Sequence, residues 1–172
     1  KMDESPLLAG LAHQARVEEG AVWECLARIM RQQETDLLIM GTHGRHGLKK
    51  LLLGSVAEEL FRLAACPVLT VGPEVPPAPA GVAEFYRILY ATDFSPESKA
   101  ALPYALSLAQ ETQARLTLLH VVETTSAGYL AEPQRELDSL KRRLQELLPS
   151  DVAPWCEPEF ALESGAPGEG IL

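Results

Sequence analysis

Cysteine is scarce in this sequence, and the three present are scattered. Cys25, Cys66 and Cys156 form no CxxC pair and no Cys/His cluster at metal-ligand spacing. Their odd number and wide separation suit a reducing compartment, so a cytoplasmic location is expected. Cys25 and Cys66 lie in apolar helical stretches and are expected as small core residues. Long apolar runs are also missing. None approaches the roughly 20 residues of a membrane span, and the start Lys-Met-Asp-Glu-Ser-Pro has no apolar region of signal-peptide type. Basic residues are in deficit, with 15 Lys+Arg against 24 Asp+Glu and a formal net charge of -9. Such a chain repels nucleic acid and anionic membrane over most of its surface, so neither is an expected partner. Any phosphate it binds needs a local device, such as backbone N–H groups or a helix N-terminus.

Apolar residues are plentiful. They make up 47% of the 172 residues, against 23% charged, a balance that allows a buried core in one domain or one domain plus a fragment. Residues 14–18 alternate weakly and predict a short strand ended by Gly20. Val22, Leu26, Ile29 and Met30 recur at helical spacing up to Gln33. Leu37-Leu38-Ile39-Met40, between Asp36 and Gly41, reads as a strand buried on both faces. After a glycine-rich loop, a helix opens at Ser55 with Val56, Leu60 and Leu63 on one face. Cys66-Pro67 stops it, and Val68 to Val71 is a second buried strand. This alternation predicts an α/β fold with a parallel sheet.

Residues 72–82 hold four prolines and predict a semi-extended linker. The rhythm then restarts. Arg87 to Ala91 is a strand. Ser95-Pro96-Glu97 starts a helix, with Ser as N-cap and Pro at the first helical position, running to about Gln113. Leu116 to Val122 is a buried strand. Residues 133–148 form an amphipathic helix with Leu137, Leu140, Leu144 and Leu147, read as core packing. Glu159 to Glu163 is a strand, and Gly-Ile-Leu lies in a new helix.

The two ends of the chain resemble each other. Val17-Glu18-Glu19-Gly20-Ala21 with Glu24 matches Leu162-Glu163-Ser164-Gly165-Ala166 with Glu169, at an offset of 145 residues. That is a sensible domain length, so a tandem repeat is expected, with the chain running from the second half of one copy into the first half of the next. The expected organisation is 1–72 as the C-terminal part of a first domain, 73–86 as linker and 87–172 as the N-terminal part of a second.

The stretch Gly41 to Ser55 carries the strongest chemical signal. Gly41 ends a strand, where α/β sheets bind ligands. Gly41 and Gly44 allow a sharp turn and close approach to a phosphate. Gly54-Ser55 opens a helix whose free N–H groups, with the Ser55 hydroxyl, suit an anion. The spacing is neither that of the P-loop nor that of the dinucleotide fingerprint.

Gly-x2-Gly-x9-Gly-Ser, in the context DLLIMGTHGR, GSVAEEL and CPVLTV, resembles the nucleotide-binding signature of the universal stress protein family. ILYATDFSPESKAALPYALSLA and LTLLHVVE resemble the same family's first strand, helix and second strand. The resemblance implies a doubly wound parallel five-stranded sheet of order 3-2-1-4-5, of the adenine nucleotide alpha hydrolase type. It implies a homodimer that binds ATP, with or without Mg2+. Asp93 would contact adenosine, with Ala91 beside it, where the family often has Pro. Val121 would flank the adenine. Met40 and Gly41 would edge the base and ribose. Gly44, Gly54, Ser55 and Val56 would cradle the phosphates, with His43 and Arg45 in the same loop.

Plainer roles stand beside these. Asp93 also suits a cap on the following turn. His43 and His46 lack a partnered Ser, Cys or carboxylate and read as loop histidines. Arg45, Lys49 and Lys50 suit either phosphate or solvent. No general base or metal site is apparent, so at most slow ATP hydrolysis is expected. A nucleotide-free dimerisation scaffold and an adenylyl-transferring enzyme are the alternatives. The second would need added catalytic residues and a substrate domain.

Overall fold

The computed structural model describes residues 10–41, 55–72, 74–75, 84–123, 133–150, 152 and 156–171. The chain divides into two units, Lys1–Gly81 and Val82–Leu172, with the boundary in the proline-rich stretch.

The first unit contains α1 (Val22–Gln32), β1 (Leu38–Gly41), α2 (Ser55–Leu63) and β2 (Val68–Val71). β1 and β2 pair in parallel, Leu38 opposite Val68 and Gly41 opposite Val71. The expectation of strands buried on both faces fails here. In each strand half-buried and exposed residues alternate, and Ile39 is 60% exposed. Burial on both faces needs a layer on both sides, and one face of this two-stranded sheet has none among the described residues. The expected strand at 14–18 does not form. Its one large apolar residue, Val17, is 97% exposed, so pairing there would bury almost nothing. Cys25 and Cys66 are half-buried, not core, and Cys156 is the buried thiol.

The second unit contains β3 (Arg87–Ala91), α3 (Pro96–Thr112), β4 (Arg115–Val122), α4 (Pro133–Glu146), β5 (Glu159–Ser164) and the short α5 (Pro167–Ile171). Its three strands are parallel in the order β3-β4-β5. Register fixes the faces. Tyr90 lies opposite Leu118, and Leu118 opposite Phe160, so these three share one face. Leu102 of α3 and Leu144 of α4 pack there with Tyr90, Leu116 and Leu118 to make the core. Ala91, Leu119 and Val121 occupy the other face, and α5 approaches it: a β-carbon on Gly170 would stand 2.9 Å from Val121 Cγ2.

Local chemistry accounts for the boundaries. The Ser95 side chain accepts a hydrogen bond from Ser98 N at 3.1 Å, and Pro96 follows at the first helical position. α3 ends at Gln113, which adopts a left-handed conformation and donates back to the last turn. Gly20 and Gly165 both have positive φ, 135° and 148°. Each is followed by an alanine whose carbonyl accepts the first helical bond, Cys25 N to Ala21 O and Gly170 N to Ala166 O. Among the described residues, no helix is long and apolar enough to cross a membrane.

Candidate functional site

A pocket of about 270 Å³ opens at the C-terminal ends of β3 and β4. It gathers three of the residues singled out from the sequence, Ala91, Asp93 and Val121, together with Thr92, Ser95, Ser98, Leu119, Pro167 and Ile171. The strands supply the apolar wall through Ala91, Leu119 and Val121. The turn between β3 and α3 supplies the polar rim, and α5 closes the far side with Pro167 and Ile171. The carboxyl ends of parallel strands are where α/β sheets open toward ligands, because the chain leaves each strand there and the loops diverge.

The β3–α3 turn is tied down by side-chain hydrogen bonds. Thr92 is 6% exposed. Its Oγ1 lies 2.9 Å from Ser98 Oγ and accepts from Phe94 N at 2.9 Å. Asp93 is exposed, and its Oδ1 accepts from Ser95 N at 2.9 Å. The Asp93 carboxyl is thereby lowered from 3.8 to about 2, through the Ser95 hydroxyl, the Ser95 amide and the Ser98 hydroxyl. Asp93 therefore does cap the turn, and it does so as a carboxylate at the mouth of the pocket.

An ionised carboxylate repels phosphate and accepts hydrogen bonds from hydroxyl or amino groups. The pocket's rim thus suits a ligand that presents hydroxyl or amino groups. Its volume falls just below the roughly 300–1,000 Å³ typical of small-molecule sites.

Met40 and Gly41 end β1 in the first unit, with Met40 half-buried and Gly41 exposed. A β-carbon on Gly41 would meet nothing within 4 Å, so no described contact demands glycine there. Ser55 and Val56 begin α2, but their side chains lie outside the described residues. His43, Gly44, Arg45 and Gly54 lie outside them altogether.

Thr92 and Ser98 escaped the sequence reading, although each has a local signal: a small hydroxyl residue beside an N-capped helix start. Pro167 and Ile171 had none, because only the return of α5 over β4 brings them to the site.

A second pocket, also about 270 Å³, lies in the first unit between α1 and α2. It is lined by Trp23, Met30, Leu63 and Cys66 among others, and Cys66 Sγ stands 3.9 Å from Met30 Sδ. It contains none of the residues that the family resemblance assigns to the nucleotide.

Comparison with known proteins bears on the fold and the family. The universal stress protein family model matches residues 4–72 and 84–172. Universal stress protein MJ0531 of Methanocaldococcus jannaschii is 43% identical over 53 residues, 31% of each chain. Universal stress protein Rv2005c of Mycobacterium tuberculosis is 32% identical over 119 residues, covering 64% of this chain and 39% of the relative. The matches thus span only about a third of the length of these relatives. The crystal structure of a universal stress protein from Archaeoglobus fulgidus DSM 4304 superposes with a TM-score of 0.59 at 26% identity, over 86% of this chain and 49% of that one. With the family model matching on both sides of the proline-rich stretch, this chain belongs to the universal stress protein family.

Proposed function

We propose that this chain is an ATP-binding regulatory module of the stress response. The observation that carries the reading is the meeting of Ala91, Asp93 and Val121 in one pocket at the carboxyl ends of β3 and β4. Ala91 and Asp93 came from one matched stretch and Val121 from a second, some 30 residues further on, and the parallel pairing of β3 with β4 brings the two stretches to one cavity. Asp93 would take the nucleoside, since its negative charge excludes the phosphates. The stretch from Gly41 to Val56 of the first unit, including His43, Gly44, Arg45, Gly54 and Ser55, would be the phosphate-holding part of that unit's own domain. Mg2+ would enter with the phosphates. Any hydrolysis would be slow, because the Asp93 carboxyl, lowered to about 2, is a weak base.

The domain organisation follows the same reading. The three-stranded sheet of β3, β4 and β5 would be the portion 3-2-1 of a five-stranded order 3-2-1-4-5, and the separate pair β1-β2 the portion 4-5. Residues 1–72 would be the C-terminal part of one domain and 87–172 the N-terminal part of the next. The shared backbone at Gly20 and Gly165 supports the repeat. Positive φ and an identical first helical bond recur at the same offset of 145 residues, and chance similarity of short sequences does not require that. A homodimer and a cytoplasmic location complete the proposal.

Thermal unfolding in the presence of nucleotide tests it. ATP at a hundredfold excess over its Kd should stabilise the fold by about 2.7 kcal/mol, and Asp93→Ala should diminish the shift. No shift with ATP, ADP or AMP would sink the proposal. Turnover at ordinary enzyme rates, roughly 1 per second or more, would instead favour an adenylyl-transfer enzyme.

A further inference from the structure

We infer that Phe94 is a positioning residue for Asp93, and that Arg143 of α4 holds it in that role. The inference takes its ligand from the nucleotide reading above, but its structural half stands apart from that reading.

Along the turn after β3, side chains alternate sharply. Thr92 and Phe94 are buried, and Asp93 between them is exposed. Anchoring both neighbours inward leaves Asp93 facing the pocket. Phe94 pivots the turn, with a φ of 65°. A β-carbon resists this left-handed region, and aromatic residues have no side-chain hydrogen bond to offset the strain. The conformation therefore needs outside support. It serves a purpose, because it lets Phe94 N reach Thr92 Oγ1 and Ser95 N reach Asp93 Oδ1, each at 2.9 Å.

The support comes from two other elements. His120 of β4 packs its ring against Phe94, with centroids 4.6 Å apart and planes tilted by 45°. The His120 Nδ1–H donates to the Thr92 carbonyl at 2.7 Å, so the ring is fixed to the same turn. From above, the guanidinium carbon of Arg143 stands 4.0 Å from the Phe94 ring centroid, within range of a cation–π attraction. Arg143 is itself exposed, but the next residue, Leu144, is fully buried in the core. The helix thus presents the guanidinium from a rigid base. A continuous set of contacts runs from α4 through Arg143 and Phe94 to Asp93. Arg143 does not touch the pocket, so its influence on a ligand passes through the ring.

The test uses the 172-residue chain with Arg143→Met, which keeps length and removes charge, and Arg143→Lys, which restores a cation. Both replace an exposed side chain, so folding is not at stake. Hydrogen exchange at the Ser95 amide reads the turn directly, and ATP titration reads the site. Arg143→Met should speed Ser95 exchange and weaken ATP binding, each by roughly 2- to 5-fold, as expected for loss of an exposed cation–π contact. Arg143→Lys should recover part of both. Wild-type exchange at Ser95 in Arg143→Met, or identical behaviour of the Met and Lys variants, would overturn the inference. If the wild-type protein takes no ATP, the nucleotide reading falls alone, and Ser95 exchange still decides the role of Arg143.

Discussion

Gly170 packs so closely on Val121 that a β-carbon added to it would lie 2.9 Å from one valine methyl and 3.2 Å from the other. Real β-carbons do not tolerate the shorter distance, and a β-branched side chain on a strand has little freedom to retreat. The contact sets how near α5 comes to β4, and with it the width of the pocket that Val121, Pro167 and Ile171 line.

Gly170→Ala should therefore destabilise. Overpacking costs about 1–3 kcal/mol, against a gain of up to about 1 kcal/mol from alanine's helix propensity. Gly168 is the control, because a β-carbon there meets nothing within 4 Å. Gly168→Ala should be neutral or stabilising by up to about 1 kcal/mol. Denaturant unfolding of the pair checks the contrast. Equal effects would mean that α5 does not press on β4.

The Asp93 carboxyl should titrate near 2, in place of its ordinary 3.8. A lowered carboxylate pKa means that the folded state binds this proton less readily than the unfolded state. The stabilisation is complete above pH about 4 and is lost as pH falls through about 2. Carboxyl chemical shifts followed against pH report the midpoint. A midpoint near 4 would show that the Ser95 and Ser98 bonds to Asp93 do not hold in solution.

Ser95→Ala removes both the cap of α3 and the strongest influence on Asp93. The fold should lose about 1 kcal/mol, the usual worth of an N-cap. The Asp93 midpoint should rise toward the ordinary carboxylate range at the same time. A loss of stability with no change at Asp93 would separate the two roles.

Core placement gives a plainer contrast. Leu118 is fully buried between strands β3 and β5, whereas Leu89 on the opposite face is half-exposed. Leu118→Ala should cost about 2–5 kcal/mol, and Leu89→Ala less than about 1 kcal/mol. Comparable losses would mean that the Leu89 face is covered in solution.

Much of this was legible in the sequence because it is local. Ser95-Pro96 announced a helix start through capping geometry that three adjacent residues decide. Arg87 to Ala91 read as a strand from composition alone. Asp93 and Val121 came from likeness to a family, and the pocket unites them. What stayed hidden depends on partners distant in sequence. The exposure of Ile39 follows from a sheet face that no described element covers, which no property of Leu38-Ile39-Met40 reveals. The left-handed Phe94 carries no signal of its own, since φ above zero is read from glycine or asparagine. Its clamp draws on β4 and α4, and an arginine on a charge-rich helix looks like any solvated residue.

The central claim is that adenine nucleotide binds in the pocket beside Asp93. The most direct measurement is an ATP titration of the isotope-labelled protein followed by backbone amide shifts. The account predicts saturable shifts at Ala91, Asp93, Val121 and Gly170, with Trp23 and Cys66 unmoved. No saturable shift at Asp93 and Val121, or one confined to the pocket between α1 and α2, would contradict it.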